Sequence, residues 1–275
     1  MYRIVDKKIL NSQITAMTVE APFVAKKVQP GQFVNIRADE KGERVPLTVA
    51  DFDREKGTVT VILQAIGFST KKISSFNVGE SLADCVGPLG VPTEFGSPKK
   101  AIVIGGGVGC AIAYPQAKAL YNMGVDTTVI AGFRSKDIVI LEEEMKAVSN
   151  NLYITSDDGS YGQKGFVTDV LKDFISKDTY DLVFAIGAIP MMMFVSKTTE
   201  EQNIKTIVSL NPIMIDGTGM CGGCRVNVGG EVKFACVDGP DFDGHKVDFD
   251  ELMRRNSFYR GEEAHVCRLG AKENG

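Results

Sequence analysis

The sequence predicts a β-barrel, then an α/β doubly wound nucleotide-binding domain, then a small C-terminal loop and hairpin. Three observations predict it. Short runs rich in Val, Ile, Thr and Phe recur between turn signals as far as about residue 97. From about residue 98, apolar strand-like runs alternate with helical stretches, the pattern of a doubly wound parallel sheet. Near the C-terminus Cys221, Cys224 and Cys236, three of the six cysteines, fall within sixteen positions. A chain of 275 residues has room for two domains and a small appendage, and 44% hydrophobic residues supply a sizeable core. The formal charge of −4 argues against a nucleic-acid or anionic-membrane partner. Met1 to Lys8 lacks the apolar run of a signal peptide. The longest apolar stretch, residues 101–114, is broken by glycines, so no membrane span is expected and a soluble cytoplasmic protein is.

In the first part, strands are expected over 14–19, 32–36, 47–50 and 58–65, punctuated by Pro30-Gly31 and Lys56-Gly57. Many short strands with little helical periodicity argue for an antiparallel barrel. A helix is expected over 69–76, after Gly67. Three features carry chemistry. Arg44-Val45-Pro46-Leu47-Thr48 is a stiff strand ending in a hydroxyl, suited to holding a flat ring and bonding its edge. Gln64-Ala-Ile-Gly67-Phe-Ser69-Thr70 puts a glycine turn and two hydroxyls at a helix start, where unpaired N–H groups favour phosphate. An ordinary helix cap would use the same residues. Gly87-Pro-Leu-Gly90 reads as a tight turn at the barrel's end.

In the second part a strand over 99–104 runs into Gly105-Gly-Gly-Val-Gly109 and a helix over 111–123. Strands over 126–133, 151–156, 181–186 and 205–210 alternate with helices over 141–150, 166–175 and 191–200. Gly105 permits the turn, Gly107 permits close backbone approach, and Gly109 leads into a helix whose N-terminus favours an anion. The loop departs from G-x-G-x-x-G, since Cys110 takes the last place. The next strand ends at Arg134 rather than at an acid, so the usual ribose contact is missing. Arg134 suits a 2′-phosphate or an acidic neighbour equally, which leaves NAD and NADP open. Asp157 and Asp158, in Thr155 to Ser160, suit a ribose or a lid, and equally a solvated turn. Gly187, in Gly187-Ala-Ile-Pro-Met-Met-Met193, lies at another strand end, and the methionine run reads first as core packing.

The third part holds Asp216-Gly-Thr-Gly-Met-Cys221-Gly-Gly-Cys224, with Cys236 after eleven more residues. The spacing C-x4-C-x2-C with a distant fourth cysteine holds a plant-type 2Fe-2S cluster. Laid on this chain it falls on Asp216, Cys221, Cys224 and Cys236, with Asp216 in one ligand place. Gly217, Gly219, Gly222 and Gly223 suit a loop wrapped round a cluster. The competing reading is a structural zinc site using the three cysteines and His245. Two runs, 226–228 and 232–235, cross Gly229-Gly230 as a hairpin that returns Cys236 to the loop. A turn over 238–244, a helix over 248–257 and an extended tail are expected to follow. Cys85, Cys110 and Cys267 have no assigned role.

A barrel, a nucleotide domain and a cysteine loop in this order resemble the iron–sulfur flavoprotein electron-transfer subunits of the ferredoxin–NADP reductase superfamily. The resemblance rests most on Asp216 to Cys236 with Asp238-Gly-Pro, and on Asp157-Asp-Gly-Ser160. It implies an FAD whose isoalloxazine lies on Val45, Pro46, Leu47 and Thr48, although Val45 stands where the family has Arg and Leu47 where many members have Tyr. It implies a pyrophosphate at Gly67, Ser69 and Thr70, and a ribityl or adenosine part near Ile62, Leu63 and Gln64. The segment at Gly187 resembles the family's Cys-Gly-Pro-x-x-Met, with Ile186 for the cysteine. Implied cofactors are FAD, a 2Fe-2S cluster and NAD(H). The implied partner is a larger flavoprotein subunit carrying 4Fe-4S clusters in a heterodimer, with ferredoxin reached indirectly. The implied layout is an FAD barrel over 1–97, an NAD(P) domain over 98–208, a cluster region over 209–247 and a tail over 248–275. Dihydroorotate members carry four cysteines, so Asp216 argues for the NADH-dependent reduced ferredoxin:NADP oxidoreductase group, with electron bifurcation, or for its sulfide dehydrogenase relatives. Hydrogenase diaphorase and dihydroorotate dehydrogenase electron-transfer subunits are the enzymatic alternatives. A zinc-stabilised nucleotide-binding regulatory subunit is the non-enzymatic one.

Overall fold

In the computed structural model, which describes residues 1–258 and Gly261, the chain opens with strands β1 (Tyr2–Ile9) and β2 (Ile14–Glu20), helix α1 (Pro22–Lys27) and strands β3 (Phe33–Arg37), β4 (Arg44–Asp53) and β5 (Thr58–Gln64). Helix α2 (Phe68–Ser75) and strands β6 (Ser81–Leu82) and β7 (Asp84–Leu89) complete the first unit. Its seven strands run in the order β6-β1-β2-β5-β4-β3-β7, a nearly closed antiparallel barrel. Alternating residues such as Met17, Val19, Val34, Ile36, Val59 and Val61 fill the interior. Four elements, β1, α1, β6 and β7, depart from the sequence reading by being present at all. β1 is rich in charge and so hides its period, and α1 is a six-residue helix started by Pro22. The Gly87-Pro-Leu-Gly90 stretch is not a tight turn: Gly87 to Leu89 end β7, and only Gly90, at φ 76°, turns the chain. The β3–β7 ladder shifts register between Phe33 and Asn35, and that irregularity accommodates the proline.

The β4–β5 ladder runs only from Val49↔Val61 to Asp53↔Thr58. Beyond it β4 pairs with β3 alone, from Phe33↔Thr48 to Arg37↔Arg44, while β5 stays on β2. The barrel therefore has a seam, flanked by residues 44–48 and 62–64.

The second unit contains β8 (Lys100–Gly106), α3 (Cys110–Asn122), β9 (Asp126–Phe133), α4 (Glu142–Ala147), β10 (Asn151–Ser156), β11 (Gln163–Lys164) and α5 (Val167–Lys177). β12 (Leu182–Ile186), α6 (Ile189–Glu200) and β13 (Lys205–Ser209) follow. The hairpin β14 (Arg225–Val228) and β15 (Glu231–Phe234), then β16 (Asp241–Asp243) and α7 (Phe249–Arg255), end the described fold. The sheet order is β11-β10-β9-β8-β12-β13-β16, parallel except for β16, which runs antiparallel to β13. The sheet is thus mixed rather than parallel. The stretch read as a turn over 238–244 contains its edge strand, where buried Phe242 sits between two aspartates. Strand order reverses beside β8, and in such sheets ligands bind at the carboxyl ends of the strands there.

The units are tied by side chains. Lys118 Nζ of α3 meets the Asp51 carboxylate of β4 at 2.8 and 3.0 Å. Thr93 Oγ1, in the connection, donates to Asp241 Oδ2 at 2.5 Å, while Asp241 Oδ1 is buried without a partner among the described residues. Burial pushes the Asp241 carboxyl up to about 6. No described helix is long and apolar enough to cross a membrane. The helix expected over 248–257 is α7. The expected extended tail and Cys267 lie outside the described residues.

Candidate functional site

The glycine loop sits at the reversal point. Gly105 and Gly106 end β8, and residues 107–109 make one 3-10 turn into α3. Gly107 has φ 57° and open space where a Cβ would stand, so the backbone offers a bare face to a ligand. A Cβ on Gly109 would come within 2.6 Å of the Ile186 carbonyl, so the turn must press on the end of β12. Cys110, in place of the last glycine, is fully buried, and burial pushes its thiol up to about 12, an inert packing residue. Gly187 follows β12, and the Met191 thioether lies against both Gly106 and Gly187. Met192 alone of the three methionines is fully packed in the core. Met191 instead lines the strand ends.

Arg134 is exposed directly after β9, and Asp157 and Asp158 follow β10 beside it. Asp158 N–H donates to the Arg134 carbonyl at 3.2 Å. The Asp158 carboxylate accepts from Ser160 Oγ at 2.6 Å and Ser160 N at 2.9 Å, which holds it below the usual carboxylate range. The pair forms a solvated turn closed on itself, placed next to Arg134.

The seam gathers most of the barrel residues singled out in sequence. Val45, Pro46, Leu47 and Thr48 are half-buried along its β4 side. Ile62 and Gln64 flank the other side, but Leu63 points into the barrel core and is 1% exposed, so its side chain cannot meet a ligand in the seam. Gln64 Nε2 donates to Gln13 Oε1 at 3.1 Å. The turn into α2 is a helix cap: Thr70 Oγ1 accepts from Gly67 N at 3.0 Å. Ser69 Oγ donates to Glu43 Oε2 at 2.7 Å. Arg44 turns toward Asp84, 3.7 Å away, so it does not supply the positive charge missing at Val45.

The cysteine segment forms two pairs. Cys224 and Cys236, each 1% exposed, have their sulfurs 3.2 Å apart, well beyond the ~2.05 Å of a disulfide. The hairpin brings them together: Ala235 N donates to the Cys224 carbonyl at 3.1 Å. Cys221 is exposed, its N–H donates to Asp216 Oδ2 at 3.0 Å, and its sulfur accepts from Gly223 N at 3.4 Å. Asp216 Oδ1 accepts from Thr218 N at 2.9 Å, which holds the carboxyl below its ordinary range. Among the described residues no three His, Cys, Asp or Glu side chains converge on one metal position. A single zinc ion needs three or four donors at one point, whereas a 2Fe-2S centre takes two protein ligands per iron. Cys224 and Cys236 make one such pair of donor atoms, and Asp216 meets Cys221 through its backbone N–H. His245 Nε2 lies 3.0 Å from Thr199 Oγ1 on α6, so that ring nitrogen is already engaged. Burial and the adjoining Cys224 thiol push Cys236 up to about 12, a proton that a bound cation would displace.

The loop rests on the barrel through a residue that sequence reading passed over. Asn35 of β3 is 1% exposed, and its Nδ2 donates to the Asp216 carbonyl at 2.9 Å. Its signal was present as a lone amide inside the apolar run Phe33–Arg37.

Residues 211–248 match the family model described as the iron-sulfur cluster binding domain of dihydroorotate dehydrogenase B. An uncharacterized protein of Clostridium beijerinckii is 54% identical over 96% of this chain and 92% of its own length. A homolog of the dihydroorotate dehydrogenase B (NAD(+)) electron transfer subunit from Thermotoga maritima is 45% identical over 94% of this chain and 92% of its own. A chain of the NADH-dependent reduced ferredoxin-NADP oxidoreductase, solved for insight into flavin-based electron bifurcation, is 43% identical with a TM-score of 0.92, covering 98% of this chain and 97% of that one.

Proposed function

The chain belongs to the family of dihydroorotate dehydrogenase B electron-transfer subunits, and from that premise we propose that it is an electron-transfer flavoprotein subunit. It passes electrons between NAD(H), FAD and a 2Fe-2S cluster, to or from a larger partner. The observation that carries this reading is the placement of the ligand pairs. The loop that carries Asp216 and Cys221 is tied to β3 through Asn35, Cys224 and Cys236 meet at the base of the following hairpin, and β3 is paired to the β4 stretch that flanks the seam. One strand thus separates a cluster site from a flat-ring site.

When bound, FAD takes up a hydride as two electrons and gives them up singly, and the cluster carries one at a time. The residues position these groups. Val45 to Thr48 would line the isoalloxazine, with the Thr48 hydroxyl able to bond its edge. The turn at Gly67, Ser69 and Thr70 would face the pyrophosphate with the first N–H groups of α2, at Ser69 and Thr70, the Gly67 N–H being taken by Thr70 Oγ1, and Ile62 and Gln64 would face the sugar side of the seam. Gly105, Gly107 and Gly109 would take the nicotinamide nucleotide's phosphates, with Arg134, Asp157 and Asp158 at its far ribose and Gly187 near the nicotinamide. Asp216, Cys221, Cys224 and Cys236 would hold the cluster. No side chain has to give or take a proton in hydride or electron transfer, so none is assigned as catalytic. The working boundaries are residues 1–97 for FAD, 98–208 for the nucleotide, 209–247 for the cluster and 248–275 for a tail, with β16 returning from the third region to the second sheet.

The finer reading is the small subunit of an NADH-dependent reduced ferredoxin:NADP oxidoreductase, working in electron bifurcation. Its partner would be a larger flavoprotein with 4Fe-4S clusters, reaching ferredoxin indirectly. The 43% identity over nearly the whole chain supports it, as does Asp216 where dihydroorotate members place a cysteine. A dihydroorotate dehydrogenase subunit is the second reading, favoured by the family model over 211–248. Exposed Ile215, Met220 and Val237 around exposed Cys221 offer the partner an apolar rim.

A visible spectrum with flavin, iron and sulfide analysis tests the core proposal. Blue-region flavin bands over broad iron–sulfur absorption, with about two irons per chain, are expected. A colourless, zinc-containing protein would sink it. The identity of the copurifying large subunit separates the two readings.

A further inference from the structure

The seam and the cysteine loop lie on different parts of the chain, so something must fix their separation. Asn35 is the side chain placed to do so. It stands opposite Pro46 in the β3–β4 ladder and opposite Val86 in the β3–β7 ladder. Its Nδ2 donates to the backbone carbonyl of Asp216, whose carboxylate in turn accepts from Cys221 N. The contact is close on both sides. Gly217, at φ 76°, is buried so tightly that a Cβ there would lie 2.7 Å from Asn35 Nδ2 and 2.9 Å from Leu89 Cδ1. Asn35 Oδ1 is buried and has no partner among the described residues. A half-bonded amide inside a barrel wall is a stability liability that an aliphatic residue of the same size would remove. Packing therefore does not account for the amide, whereas its one bond does, because that bond reaches the ligand loop.

We propose that Asn35 is the positioning residue of the flavin-to-cluster step, holding the cluster loop at a fixed distance and orientation from the strand that carries the flavin. The inference rests on the function proposed above. The step concerned moves one electron from reduced flavin to oxidised cluster, one iron going from ferric to ferrous, with no bond to a protein atom made or broken. Asn35 touches neither reacting group. It acts through Asp216 and Cys221.

The test uses the full chain with its cofactors and compares Asn35→Leu and the isosteric Asn35→Asp, which sets a carboxylate against the Asp216 carbonyl. NADH is mixed rapidly with each protein, flavin bleaching is followed optically and cluster reduction by electron paramagnetic resonance of quenched samples. The expected result is unchanged flavin reduction by NADH, cluster reduction slowed by about tenfold or more, and a broadened or shifted cluster signal. Loss of iron with flavin retained also supports the proposal, since the loop has then left its place. Flavin-to-cluster rates and spectra identical to the parent overturn it. Should both Asn35 variants fail to fold, Gly217→Ala pushes the loop off the same amide while every barrel residue keeps its identity, and the same measurements decide. A parent protein with no iron or flavin would instead refute the functional reading itself, whatever Asn35 does.

Discussion

At the scale of single residues, Asp216 holds the most chemistry. It caps its own loop through Thr218 N and Cys221 N and is anchored to the barrel through its carbonyl. As a cluster ligand it would give an iron a harder, less donating partner than a thiolate. Asp216→Cys is therefore expected to keep the cluster and lower its reduction potential. The drop should be smaller than the roughly 250 mV or more that separates Rieske centres from all-thiolate plant-type clusters, since a carboxylate keeps its charge where imidazole does not. A redox titration followed by paramagnetic resonance measures it, and an unchanged potential would mean Asp216 is not a ligand. The cysteines were legible in sequence because spacing itself encodes their chemistry. Asn35 was not, because its partner lies 181 positions away. The direction of the Leu63 side chain was hidden for a related reason: a run of three strand residues alternates faces, so its middle member points away from its neighbours.

At the scale of elements, the turn from β8 to α3 separates two kinds of glycine. Gly107 is left-handed with open space above it, whereas Gly109 has ordinary helical φ but no room beside the Ile186 carbonyl. Gly107→Ala should cost only ~1–2 kcal/mol of stability, the strain of a left-handed alanine, yet weaken nicotinamide nucleotide binding by covering the bare backbone. Gly109→Ala should cost more in stability by forcing α3 off β12. Thermal unfolding and NADH titration of the two variants would show opposite rankings. The second unit was nearly readable residue by residue. The strands expected over 126–133 and 151–156 are Asp126–Phe133 and Asn151–Ser156: the first is an apolar run buried on both faces, the second alternates exposed and half-buried residues until Thr155. β16 escaped because an edge strand wears charge, and β1, flanked on one side only by the two-residue β6, is likewise charged; charge erases the period that reveals a strand.

At the scale of the whole molecule, barrel, sheet and cluster segment meet around Asp241. Its carboxyl accepts from Thr93 of the connection, and Ser209 of β13 stands opposite it in the ladder. The ordinary value of 3.8 rises to about 6 in the fold, a change worth ~3 kcal/mol. The folded state thus holds the proton more tightly than the unfolded one. Stability from this group is complete below about pH 4 and is lost as pH rises through about 6. Asp241→Asn removes the ionisation, so its stability should gain on the parent between pH 4 and 7 and run parallel above. Unfolding curves across that range check it, and a constant gap would refute it. The same junction holds a consequence for the chain's history and re-use. Ser209 and Asp241 are direct register neighbours, and Leu210 N–H bonds the Pro240 carbonyl. Everything between them leaves the sheet and returns to the place it left. The iron-binding stretch is in effect a cassette whose two ends already touch. A short reverse turn in its stead would close the sheet edge but uncover the core that Cys224, Val226 and Ala235 seal, so the piece could be exchanged for another only together with the surface it covers.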